Sequence, residues 1–140
     1  MYAVCVYLLV VIFYRHLGTG LSYKGMCFEV SARSGIMRQE TAKMRKLLRN
    51  AELPFFKKIH RIQGYLLSKG TYNCGTWPVL FKSLFSKFHG SILGMYRDAS
   101  GHNCPFKDVV SMFSNDDIIY KYNLINPMTI LRRGRLSLFI

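Results

Sequence analysis

Residues 29–50 read EVSARSGIMRQETAKMRKLLRN, and this stretch decides the fold class. Val30, Met37, Met44 and Ala51 recur every seven residues, with Thr41, Leu47 and Leu48 beside them. Seven residues are close to two turns of an α-helix, so these side chains share one face. Arg38, Lys43, Arg45, Lys46 and Arg49 fill the rest of the surface. Glu29 at the start and Arg49 near the end each carry the charge that the neighbouring helix terminus favours. The stretch therefore predicts a basic amphipathic helix.

Working outward towards the C-terminus, Pro54 suits the first turn of a second helix. Its apolar stripe is Phe55, Ile59, Ile62, Leu66 and Leu67, with Lys57, Lys58 and Arg61 on the other side. Gly64 and Gly70 weaken it. Pro78 is expected to open a third helix, since Leu80, Leu84, Phe85, Phe88, Ile92, Met95 and Tyr96 follow at helical spacing. The residues from Gly101 to Pro105 read as a loop. Three short helices are expected after it, from Phe106 to Phe113, Asn115 to Tyr122 and Pro127 to Phe139. Ser114 and Asn126 stand where N-caps belong for the last two. Trp77, the single tryptophan, reads as a core anchor beside Pro78.

Towards the N-terminus, Met1 to Phe13 reads MYAVCVYLLVVIF without a charge. A helix of that length reaches only about 20 Å, short of the ~30 Å of a bilayer core. No basic segment precedes the run, as a secretory signal would require. Its Val, Ile and Tyr content favours a buried strand over a membrane helix. Gly18, Gly20 and Gly25 predict a hairpin or extended turn after it. The expected fold is mainly α: a short N-terminal β strand or hairpin followed by five or six helices. Residues 1–28 form the strand and hairpin region, 29–97 a basic helical region, and 98–140 the short helices.

The chain has 140 residues, with 20 Lys+Arg against 7 Asp+Glu, and a formal net charge of +13. Such a surplus favours a polyanionic partner, nucleic acid or an anionic membrane. Half of the residues are apolar, which excludes a disordered tail. From Val30 to Lys87 there are twelve Lys/Arg and only two acids, Glu40 and Glu52. The candidate nucleic-acid-binding set is Arg33, Arg38, Lys43, Arg45, Arg49, Lys57, Lys58 and Arg61 on two consecutive helices. Clustered cations with few acids neutralise phosphates without reading sequence.

Other constellations carry less. Cys5, Cys27, Cys74 and Cys104 are far apart with no CxxC pair, so they read as reduced and mostly buried. His89, His102, Cys74 and Cys104 lack metal-ligand spacing. Asp116-Asp117 reads as two acids in the first turn of a helix rather than a metal-binding pair. Gly18 and Gly20 give G-x-G without a third glycine, and read as a turn. No nucleophile-elbow motif occurs. No catalytic residue, metal site or small-molecule substrate is expected.

Tyr14-Arg15-His16-Leu17-Gly18-Thr19 resembles the Y-[KR]-[HY]-L-G-[ST] signature of non-LTR retrotransposon reverse transcriptases. Gly25, Glu29-Val30 and Arg33 resemble that family's run into a helix. Leu66-Leu67-Ser68, leading to Tyr72 through Pro78, resembles its "L..L.YG.ETW" segment. Asp116-Asp117-Ile118-Ile119 and the later Ile130 to Leu136 resemble a C-terminal stretch of related elements. The four segments stand in the family's order and cover residues 14 to 136. The resemblance implies that Tyr14, Arg15, His16, Leu17 and Gly18 form a primer-grip hairpin. It also implies that the basic helices form a thumb tracking an RNA/DNA duplex. Met1 to Phe13 lacks the family's Y-x-D-D strand, so Mg²⁺ would belong to a palm this chain does not contain. Gly70 stands where the family carries an apolar residue, and Cys74-Gly75 disturb the "YG.ETW" spacing.

The expected function is a non-catalytic nucleic-acid-binding fragment from the post-palm side of such an enzyme, located in the nucleus or cytoplasm. Two alternatives stand beside it. One is a small basic membrane-associated protein anchored by residues 1–13 and held to anionic lipid by its basic helices. The other is a translated transposon relic without a selected role.

Overall fold

The computed structural model describes residues 13–16, 19–22, 27–101 and 114–139, the first two segments by their backbone alone. The first long helix, α1, runs Cys27–Leu48. Its seven-residue repeat places Val30 and Met37 fully inside, with Thr41 and Leu48 also buried. Ala51 lies past the helix end and is exposed. The second helical body, α2, is continuous from residue 55 to 70. It starts as an α-helix over Phe55–Arg61, widens to π geometry over Ile62–Leu67 and closes with Ser68–Gly70. The wide turn falls around Gly64, whose small energetic preference for regular helix makes it a low-cost place to insert a residue.

A 3₁₀ turn at Cys74–Thr76 leads to buried Trp77, whose ring meets Phe88 edge-on at 5.6 Å. Helix α3 spans Lys82–Ser100 and is the hub of the fold, in contact with α1, α2 and both later helices. Its inward stripe is Leu84, Phe88, Ile92, Met95, Tyr96 and Ala99. Gly101 ends it in a left-handed conformation at φ 76°, a position that glycine takes without Cβ strain. Helix α4 covers Asn115–Lys121 and α5 covers Pro127–Ser137. Both start at the caps expected: the Ser114 hydroxyl accepts from the Asp117 amide, and Asn126 Oδ1 accepts from the Met128 amide at 2.9 Å. A single cluster of buried side chains runs from Val30 to Leu131. The boundary drawn at residues 97–98 thus falls inside α3.

Three expectations need correction. The first is the β strand or hairpin expected as part of a mainly α fold. Phe13–His16 (β1) and Thr19–Ser22 (β2) run antiparallel, Phe13 opposite Ser22 and His16 opposite Thr19. The body described with its side chains is nevertheless helical, with five helices, and no strand or hairpin contributes to its core. Two strands of four residues are too little to found a sheet in water. The strand expected over Met1–Phe13 lies, except for Phe13, outside the described residues, as does the helix expected from Phe106 to Phe113.

The second correction is the start of the third helix, which is Lys82 and not Pro78. Arg135 of α5 donates to the Trp77 carbonyl at 3.3 Å and to the Pro78 carbonyl at 2.8 Å. Both carbonyls thus face another element, and residues 77 to 81 stay outside the helix. The third concerns Lys58, expected on the outer side of α2. It is 8% exposed, with Nζ at 3.5 Å from the Ala99 carbonyl. Its position, three residues after Phe55 and four before Ile62, lies on the core face. The four-carbon stem packs there while the ammonium reaches for a carbonyl.

Candidate nucleic-acid interface

The eight candidate cations divide by what faces them. Arg33 is turned inward. Its Nε donates to Glu29 Oε1 at 2.8 Å, its Nη1 to the Lys69 carbonyl at 3.2 Å, and its guanidinium lies 5.0 Å from the Tyr72 ring centre. Lys58 is buried as described. Both hold helices together and offer little to a ligand.

Arg38, Arg45 and Arg49 lie along the α1 edge beside α3. Arg38 Nε donates to Ser91 Oγ at 3.2 Å. Arg49 contacts Asp98 Oδ1 through Nη2 at 2.8 Å, and Arg45 Nε stands 3.5 Å from Oδ2. Asp98 is 4% exposed, whereas the two arginine side chains are about half exposed. One buried carboxylate thus anchors two guanidinia and leaves one positive charge at the surface. Arg38, Arg45, Gly90, Gly94 and Asp98 border a shallow depression of about 170 Å³.

Lys43 donates to Glu40 Oε1 at 2.7 Å. The other Glu40 oxygen accepts from the Tyr65 hydroxyl at 2.9 Å and from Lys69 Nζ at 3.2 Å. Lys69 also sits 4.2 Å from the Tyr65 ring centre. These donors, Lys43 foremost, then Tyr65 and Lys69, hold the Glu40 carboxyl down at about 2. Bonding to Tyr65 and Glu40 raises Lys69 correspondingly. This cluster ties α1 to α2 and also retains one net positive charge.

Lys57 and Arg61 differ from all of these. Both are exposed, and neither makes an ion pair among the described residues. Lys46, which the candidate set omitted, is exposed and equally without an ion pair among the described residues. Lys57 and Arg61 border an open groove of about 690 Å³ with no acidic side chain among its described lining residues. Its walls come from the end of α1, the first two turns of α2 and the residues just after α4. Phe56 and Tyr122 in this groove were missed by sequence reasoning. The signal was available: adjacent residues on a helix point about 100° apart, so Phe55 and Phe56 cannot both face one core.

Asp116 and Asp117 lie in the first turn of α4. Asp117 Oδ2 accepts from the Ser114 amide at 2.9 Å and the Ser114 hydroxyl at 2.7 Å, closing a reciprocal cap. Those two donors lower its pKa. Among the described residues no three His, Cys, Asp or Glu come together as metal ligands. Cys27 is exposed and Cys74 buried, both as free thiols, and burial pushes the Cys74 thiol up. His102 and Cys104 lie outside the described residues. Of the primer-grip-like set, Tyr14, Arg15 and His16 lie on β1, and Leu17 and Gly18 fall outside. No described helix is long and apolar enough to cross a membrane.

No protein family, curated protein or solved structure matches this chain.

Proposed function

We propose that the chain binds nucleic-acid duplex through the exposed cations of α1 and α2, as a non-catalytic, thumb-like region akin to that following the palm in non-LTR reverse transcriptases. The supporting observation is the charge left over after internal pairing. Arg33 is neutralised, but the Asp98 and Glu40 clusters each keep a positive charge outward. Lys46, Lys57 and Arg61 add charges with no acid paired to them among the described residues. A duplex presents phosphates continuously, so a surface of this kind gains counterion-release free energy wherever it lands. It positions the duplex and carries no base readout.

Salt dependence tests the proposal. If Arg38, the Asp98 cluster, the Glu40 cluster, Lys46, Lys57 and Arg61 each supply one charge to a phosphate, the log–log slope of affinity against salt is about −5. Replacing Lys57 and Arg61 by Gln should flatten it by about 2 and weaken all duplex sequences alike. Replacing Arg132 and Arg133 on α5 by Gln removes the same charge elsewhere and should change the slope much less. An equal effect from both pairs would mean that net charge alone drives binding, and the α1–α2 footprint would be rejected.

A further inference from the structure

The groove beside Lys57 and Arg61 has features that duplex phosphates do not use. Phe56 is 69% exposed within it. Phe55 and Tyr122 form an adjoining aromatic wall, their rings 4.8 Å apart and tilted by 36°. The exposed Asn123 amide lies at the same lip and offers both donors and an acceptor. Aromatic faces, an amide and two cations without an opposing acid match the parts of a single nucleotide: a base with two π faces, a polar edge and a phosphate. In a duplex the base faces are already stacked on one another, so such a platform serves only unpaired bases. An acyl chain has no use for the amide or the two cations.

We propose that this groove is a single-strand site, in which an unpaired nucleotide stacks on Phe56 while Lys57 and Arg61 hold its phosphates. The inference rests on the proposed nucleic-acid function and adds a substrate class to it: duplex continued by a single-stranded segment. A volume of about 690 Å³ accommodates one nucleotide and part of a second.

Fluorescence anisotropy with the full chain separates the two proposals. The probes are labelled oligothymidylate of about 16 nucleotides, the upper end of a single-strand site, and a blunt duplex of equal length. Phe56→Ala should weaken oligothymidylate binding roughly tenfold, the loss expected for one base–aromatic stack, and leave duplex affinity within about twofold. Phe56→Trp should retain single-strand binding. Phe56 is mostly solvent-exposed, so neither change threatens the core, and matching circular-dichroism melts verify this. Unchanged oligothymidylate affinity in Phe56→Ala, or an equal loss on both probes, overturns the single-strand site. So does self-association of the wild type that Phe56→Ala abolishes without affecting oligothymidylate, since the groove would then hold a second copy. If Lys57→Gln with Arg61→Gln leaves both affinities intact, the parent proposal fails as well. Loss on both probes from that pair, with none from Phe56→Ala, rejects the groove alone.

Discussion

The α1–α3 seam and the first turns of α2 are both rich in cations, yet they use them differently. At the seam, Arg45 and Arg49 converge on a carboxylate that is almost wholly buried. At α2, Lys57 and Arg61 meet no acid among the described residues and border a groove with an exposed aromatic. The first arrangement joins two helices across 49 residues of sequence. The second contributes nothing to internal pairing and leaves its charge for a partner. Clustering of Lys and Arg along a chain therefore does not rank them as ligand contacts. What ranks them is whether an acid faces them once the helices have packed.

The sharpest way to break this comparison is to remove the cations from each side. Replacing Arg45 and Arg49 together by Met deprives the buried Asp98 of both guanidinia. Removing two guanidinia from a buried carboxylate costs up to about 3 kcal/mol, the low end for a broken buried pair because the arginines are half exposed. Replacing Lys57 and Arg61 by Gln should leave stability within about 0.5 kcal/mol, as surface changes do. Urea denaturation of the two double variants checks this. Equal midpoints would show that the Asp98 pairs are as dispensable as free surface charges.

Two glycines of α2 repeat the contrast in packing terms. A Cβ at Gly70 would overlap the side chain of Met37, which is fully buried on α1. A Cβ at Gly64 would meet nothing within 4 Å. Gly70→Ala should destabilise by about 2 kcal/mol through overpacking. Gly64→Ala should be neutral or stabilising by up to about 1 kcal/mol, since alanine is the better helix former. Thermal melts distinguish them, and similar shifts would show that α1 and α2 can move apart at no cost. The close approach of Met37 is the physical reason that glycine fits at this position.

The smallest effect concerns Glu40. Its carboxyl is held at about 2, below the ordinary 4.5, by Lys43, Tyr65 and Lys69. A folded-state value below the unfolded one means that the contribution is complete above about 4.5 and fades as pH falls towards 2. Glu40→Gln should flatten the stability profile over that window. At neutral pH it should slightly strengthen duplex binding, because Lys43 and Lys69 lose their acid. An unchanged acid limb would assign the acid sensitivity of the fold to other carboxylates.

Much of the helical body was legible from local chemistry. The repeat through Val30 and Met37, the stripe through Phe88, Ile92 and Met95, and the caps at Ser114 and Asn126 follow from helix period and backbone hydrogen bonding, which act within a few residues. The burial of Trp77 followed from its size and apolar setting. The sequence by itself thus determined where most helices run, which faces they bury and how strongly basic the surface is. Only the tertiary structure decided which cations are available. Arg45 and Arg49 are anchored because α3 brings Asp98 alongside, Lys58 is buried because α2 packs on Ala99, and the Pro78 carbonyl meets Arg135 because α5 comes back beside it. The groove likewise requires Tyr122 to come back beside Phe55. These pairings join residues 41 to 67 positions apart. Periodicity, propensity and capping act along a few turns of one helix and have no term for such partners.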